Sequence, residues 1–143
     1  MEKLWLIYAL LSALTASLVA IFGKIGLQSI DANAATAIRS IIMAAFLVAV
    51  VAVQGNLGQL SSIISDKKAI SFIALSGIAG ALSWLFYFLA LKVGKVSQVA
   101  PIDKLSVVIA AIIAVTFLGE KISILGGIGI ALIALGAILV AVG

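Results

Sequence analysis

Five apolar segments, each long enough to cross a bilayer, follow one another with only short polar breaks between them. A hydrocarbon core about 30 Å thick needs about 20 helical residues to span it. Residues 4–22, 69–91 and 122–142 meet that length without a single charge. Residues 34–53 also meet it but contain Arg39, and residues 96–118 contain Asp103 and Lys104 near their start. The predicted fold class is an all-α integral membrane protein with five transmembrane helices, and residues 1–143 form a single transmembrane domain.

Composition agrees with this reading and removes several functions. The chain is 65% hydrophobic with a mean hydropathy of +1.41, whereas soluble domains run at about 45–50% apolar. It has no cysteine and no histidine, which excludes disulfides, thiolate chemistry, His-ligated metals and imidazole proton relays. No nucleophile with an adjacent base is recognisable, so an enzyme is not expected, nor is a cofactor or a bound metal. The formal charge of +4 comes from Lys and Arg at span ends, where they anchor to headgroups. Nucleic acid is therefore not an expected partner. Ala32-Asn33-Ala34 resembles a leader-cleavage site, but the apolar run before it exceeds the roughly 7–15 residues of a signal core. The first segment is read as a retained span, and no soluble domain is expected beyond Gly143.

Short connections favour antiparallel neighbours in a bundle. Residues 23–33 join the first two spans, with Asp31 or Asn33 placed to cap the second. Residues 54–68 form the longest connection; Gly55, Asn56 and Gly58 are expected to break the helix, and Leu57, Leu60, Ile63 and Ile64 to lie against the membrane interface. Residues 92–95 turn around Gly94, and residues 119–121 make the last turn. Orientation follows the excess of positive charge in cytoplasmic loops. Here Lys3, Lys67, Lys68 and Lys121 stand on the amino-terminal side against Lys24, Arg39, Lys92, Lys95 and Lys104 opposite. So even a division is compatible with one orientation set by other features, or with insertion in both.

Three helix faces stand out. The fifth span carries a small-residue stripe, Gly127, Ala131, Ala134, Ala137 and Ala141, suited to close packing within or between protomers. Its opposite stripe, Ile128, Leu132, Leu135 and Leu139, suits lipid. The first span aligns Tyr8, Ser12, Thr15, Val19 and Phe22, whose hydroxyls either bond back to their own helix or line a cavity. The third aligns Gly77, Gly80, Trp84 and Tyr87, with Ser76 and Ser83 beside them. Trp84 and Tyr87 lie one to two turns inside Leu91, deeper than an interfacial belt requires, and are read as cavity wall.

Charge inside a membrane span faces the bundle interior and marks a functional candidate. Arg39, Asp103 and Lys104 enter from one side, where Lys24 leaves the first span, and they are read as one ionic layer. Asp103 and Ser106 share a face. Asp103 and Lys104 point about 100° apart on a regular helix, so Arg39 or Lys24 is the expected partner of Asp103. The alternative is local: Pro101 suits a first helical turn, Asp103 complements the amino-terminal dipole, and Lys104 snorkels. That account explains Asp103 but not Lys104 or Arg39, whose charge opposes the dipole.

The segment Val99-Ala100-Pro101-Ile102-Asp103-Lys104-Leu105-Ser106, then Phe117-Leu118-Gly119-Glu120-Lys121-Ile122-Ser123, Gly126-Gly127 and Leu132-Ile133-Ala134-Leu135-Gly136, resembles the EamA-type branch of the drug/metabolite transporters. Phe22-Gly23-Lys24, Ala35-Thr36-Ala37-Ile38-Arg39, and Leu75-Ser76-Gly77 with Ser83-Trp84 and Tyr87 resemble its small single-domain members. Larger relatives have ten helices in two five-helix units of inverted topology around a central cavity. The resemblance implies that this chain is one such unit, in the cytoplasmic membrane of a prokaryote, completed by an inverted second copy or a sister subunit. It implies a secondary transporter working by alternating access, with a cavity lined by spans one, three and four. Arg39 and Lys104 would hold a carboxylate, Asp103 an ammonium, and Trp84 and Tyr87 an apolar portion, as in an amino acid or other zwitterion. Lys24 and Ser106 complete the binding and gating set, with Tyr8, Ser12, Thr15 and Ser83 as further lining. No nucleotide-binding loop is present to couple ATP. Two alternatives stand: a non-transporting subunit of a larger complex, and a small multidrug-type cation exporter. Such exporters carry a glutamate in the middle of their first helix, where this chain has Ser12 and Thr15.

Overall fold

The computed structural model describes residues 4–143, so Lys3 lies outside the described residues. Seven helices follow in order: α1 (Leu4–Gly26), α2 (Ala32–Val53), α3 (Leu57–Ser65), α4 (Lys67–Val93), α5 (Val96–Asp103), α6 (Leu105–Phe117) and α7 (Ile124–Val142). Five spans are long and apolar enough to cross a membrane: α1, α2, α4, α7, and Val96–Phe117, which combines α5 and α6. Residue sequence sets their ends. The Asp31 carboxylate accepts from the Ala34 N–H at 2.9 Å and starts α2. Asp66 accepts from the N–H groups of Lys68 and Ala69, both at 3.0 Å, at the start of α4. The Ser123 hydroxyl accepts from Gly126 at 3.1 Å, which moves the start of α7 two residues past the expected Ile122.

Gly55 adopts φ +73° after α2, and Gly119 φ +68° after α6. This left-handed backbone suits glycine at a helix end. Gly58, in contrast, does not break a helix. It is the second residue of α3, in a first turn where N–H groups have no intrahelical acceptor in any case.

The fold divides into two compact units, residues up to Phe22 with Val93–Gly143, and Gly23–Lys92. In the first, α7 packs against both α5 and α6. The face of α7 that turns inward runs through Gly126, Ile130, Ala134, Ala137 and Val140. Ala137 is buried and Ala134 half-buried, but Gly127, Ala131 and Ala141 are exposed, so the small-residue stripe only partly coincides with the packed face. Ile128, Leu132, Leu135 and Leu139 are all exposed, as a lipid-facing stripe requires.

In the second unit the buried side chains gather at one end: Leu27, Ala32, Thr36, Phe88 and Leu91. Gly23 sits against them. A Cβ there would lie 2.9 Å from Phe88 Cε1 and 3.7 Å from Leu91 Cδ1, so the absent side chain lets this turn of α1 close on α4. The Lys24 ammonium donates to the Leu91 carbonyl, and Lys92 donates to Ile30 at 2.9 Å. Elsewhere α2 and α4 display apolar residues on nearly every face, among them Ile41, Phe46, Phe72 and Ile78, the pattern of helices surrounded by lipid.

Candidate functional site

The packed end of the Gly23–Lys92 unit holds an aromatic cluster with an arginine on it. Trp84, Tyr87 and Phe88 fall on neighbouring positions of α4 because residues three and four apart share a helix face. The Trp84 and Tyr87 rings meet edge to face at 5.6 Å and 85°, and Trp84 meets Phe88 at 5.7 Å and 78°. Such T-shaped geometry directs the positive edge of one ring at the negative face of the next. Arg39 lies seven residues into α2, and its Cζ sits 3.5 Å over the Trp84 ring and 5.1 Å from Phe88. A guanidinium stacked this way is attracted by the ring quadrupole, by about 0.5–1 kcal/mol in water and about 2 or more when desolvated.

Stacking occupies the flat face of the guanidinium and leaves its edge. That edge carries five N–H donors in a fork matched to a carboxylate. Within the Gly23–Lys92 unit, no described carboxylate pairs with Arg39; Asp31 and Asp66 act as helix caps. Trp84 and Tyr87 are half-buried, and Gly80 lies on the same side of α4.

Asp103 and Lys104 belong to the other unit, and here one expectation is corrected. The Lys104 ammonium pairs with Asp103 Oδ2 at 3.3 Å. The expected 100° divergence assumed a continuous helix, but the helix is interrupted at Lys104, where φ is −70° and ψ −7°. There Lys104 N–H bonds to Pro101 C=O at 3.1 Å and Val107 N–H to Lys104 C=O at 3.0 Å, both three residues back. Pro101 stands three residues before this interruption. It lies inside α5 rather than in its first turn, and its ring removes the N–H that would bond to Ser97 and crowds that carbonyl.

The remaining candidates are divided between the two units. Tyr8, Ser12 and Thr15 are exposed on α1. The Thr15 hydroxyl donates to Leu11 and Ser12 carbonyls at 2.9 and 3.0 Å, satisfying itself on its own helix. Ser83 and Ser106 are also exposed. Lys24 lines a hollow of about 280 Å³ with Leu27, Gln28 and Lys92. A second hollow, about 270 Å³, lies between α6 and α7; its lining is apolar except for Thr116, whose hydroxyl bonds to Ile112.

Sequence reading missed Phe88, Gly23 and Lys92. Phe88 follows Tyr87 and lies four residues from Trp84, so the same periodicity could have found it. Gly23 and Lys92 have no such signal, because their roles depend on contacts with residues more than sixty positions away.

The model of the EamA-like transporter family matches residues 3–142. A Sinorhizobium protein described as an uncharacterized transporter in the cobO 3′ region is 45% identical over 142 residues, covering 99% of each chain. An uncharacterized protein of Methanocaldococcus jannaschii is 31% identical over 80 residues, covering 56% of this chain and 58% of its own. No solved structure is a significant match.

Proposed function

From the premise that this chain belongs to the EamA-like transporter family, and so is a membrane transporter, we propose that it moves a small zwitterionic metabolite of the amino-acid type. The observation that carries this reading is Arg39 held 3.5 Å over Trp84. A stacked guanidinium offers its edge to a planar carboxylate, and the adjoining Tyr87 and Trp84 rings offer apolar surface to the rest of the solute.

The Asp103–Lys104 pair at the helix break forms a gate in this proposal. A non-helical joint inside a span is tolerated where it lines a cavity, and there the pair exchanges partners with solute while the joint flexes. The protein works by alternating access as a dimer of opposed copies. The nearly even distribution of Lys and Arg between the two sides supports dual insertion, since little charge bias selects one orientation. Opposed copies would place each site once near each membrane face. Relatives from Sinorhizobium and Methanocaldococcus support the prokaryotic cytoplasmic membrane as the location.

Uptake of a labelled amino-acid panel into liposomes carrying the purified protein tests the reading. Saturable uptake of at least one zwitterion is expected. A folded protein that takes up none of them, and that co-purifies tightly with another membrane protein, would instead be a non-transporting subunit.

A further inference from the structure

We propose that the hollow between the carboxy-terminal ends of α1 and α4 binds the headgroup phosphate of an anionic membrane phospholipid. Lys24, Leu27, Gln28 and Lys92 line it, and it encloses about 280 Å³. Lys24 and Lys92 are the basic residues in the last turns of their helices. Both helices are membrane spans, so their ends stand at headgroup depth, where basic pockets between helices take anionic lipid.

The two ammonium groups are held in place. Lys24 donates to Leu91 on α4, and Lys92 donates to Ile30 in the turn before α2 at 2.9 Å. Each lysine thereby reaches across to another element, which reduces the entropy lost when a ligand is bound. An ammonium has three donors, so Lys92 retains others beyond its bond to Ile30. Gln28 contributes an amide, buried Leu27 forms an apolar floor, and no carboxylate among the described residues lines the hollow. Two fixed positive charges beside an amide suit the delocalised negative charge of a phosphate.

Its surroundings select a lipid over a soluble anion. Ile25 next to Lys24, Ile30 whose carbonyl holds Lys92, and Leu89 one turn before Lys92 are 62%, 47% and 41% exposed. Acyl chains can cover such side chains, and inorganic phosphate cannot. None of its lining residues belongs to the Arg39–Trp84 stack, and the proposal does not depend on which solute is carried.

Native mass spectrometry of the purified full chain, with phosphatidylglycerol, phosphatidylcholine or inorganic phosphate added, tests the proposal. Phosphatidylglycerol adducts should outlast phosphatidylcholine adducts and resist displacement by equimolar phosphate. The double variant Lys24→Gln/Lys92→Gln should retain about thirtyfold less phosphatidylglycerol, from a loss of about 1 kcal/mol per basic residue. Gln28→Glu leaves both lysine tethers in place and guards against a folding defect in the double variant. Its added carboxylate should reduce retention to a similar extent, whereas Lys92→Arg should preserve it. Wild-type retention by Gln28→Glu would overturn the site, and displacement of the lipid by phosphate would overturn its assignment to lipid.

Discussion

Arg39 and Trp84, from α2 and α4, stack with the guanidinium carbon 3.5 Å over the indole ring. Forty-five positions separate them in the chain, and the contact lies at the end of the Gly23–Lys92 unit where Gly23 meets Phe88 and Leu91. A flexible arginine thereby acquires a defined orientation.

Replacing Trp84 by Leu keeps an apolar side chain and removes the quadrupole. The stack is worth about 0.5–2 kcal/mol, so KM for the carried zwitterion should rise by about 2- to 30-fold while the folded fraction is unchanged. Initial uptake rates across a concentration series, with circular dichroism as the folding control, check this.

Gly23→Ala places a methyl 2.9 Å from Phe88, a residue only 3% exposed. Forced repacking of this kind costs about 1–3 kcal/mol. Thermal unfolding in detergent should show the loss, and the companion Gly26→Ala should not, because a Cβ at Gly26 meets nothing within 4 Å.

Pro101→Ala restores an N–H inside α5 and removes the ring that crowds Ser97. The helix should gain stability, by at most about 3 kcal/mol, while turnover falls because the joint beside Asp103 and Lys104 stiffens. Asp103→Asn and Lys104→Ala should abolish transport and leave dimerisation intact. Wild-type flux in both would remove the pair from the gate.

A tag placed at Gly143 should be accessible from both faces of the membrane if opposed copies assemble. Labelling from one face only would exclude the inverted homodimer and leave a heterodimer or a single orientation.

The spans were legible because apolar length itself determines what crosses a bilayer; α1, α2, α4 and α7 end within a few residues of expectation. Asp31 was legible as a cap for the same local reason. Gly58 was misread, since a glycine breaks a helix in its interior but costs little in a first turn. Arg39, Trp84, Asp103 and Lys104 were each visible as unusual residues for lipid. Their partnerships were not. The Arg39–Trp84 stack depends on tertiary packing that no periodicity encodes, and the Asp103–Lys104 pair depends on a break at Lys104 that a regular-helix angle cannot represent.

Recognition of the solute carboxylate by Arg39 is tested most directly by comparing uptake of a carried amino acid with that of its decarboxylated amine, in liposomes containing wild-type protein or Arg39→Gln. Wild-type protein should carry the amino acid and not the amine, and Arg39→Gln should lose amino-acid uptake while remaining folded. Equal uptake of acid and amine, or amino-acid uptake by Arg39→Gln at the wild-type rate, would contradict it.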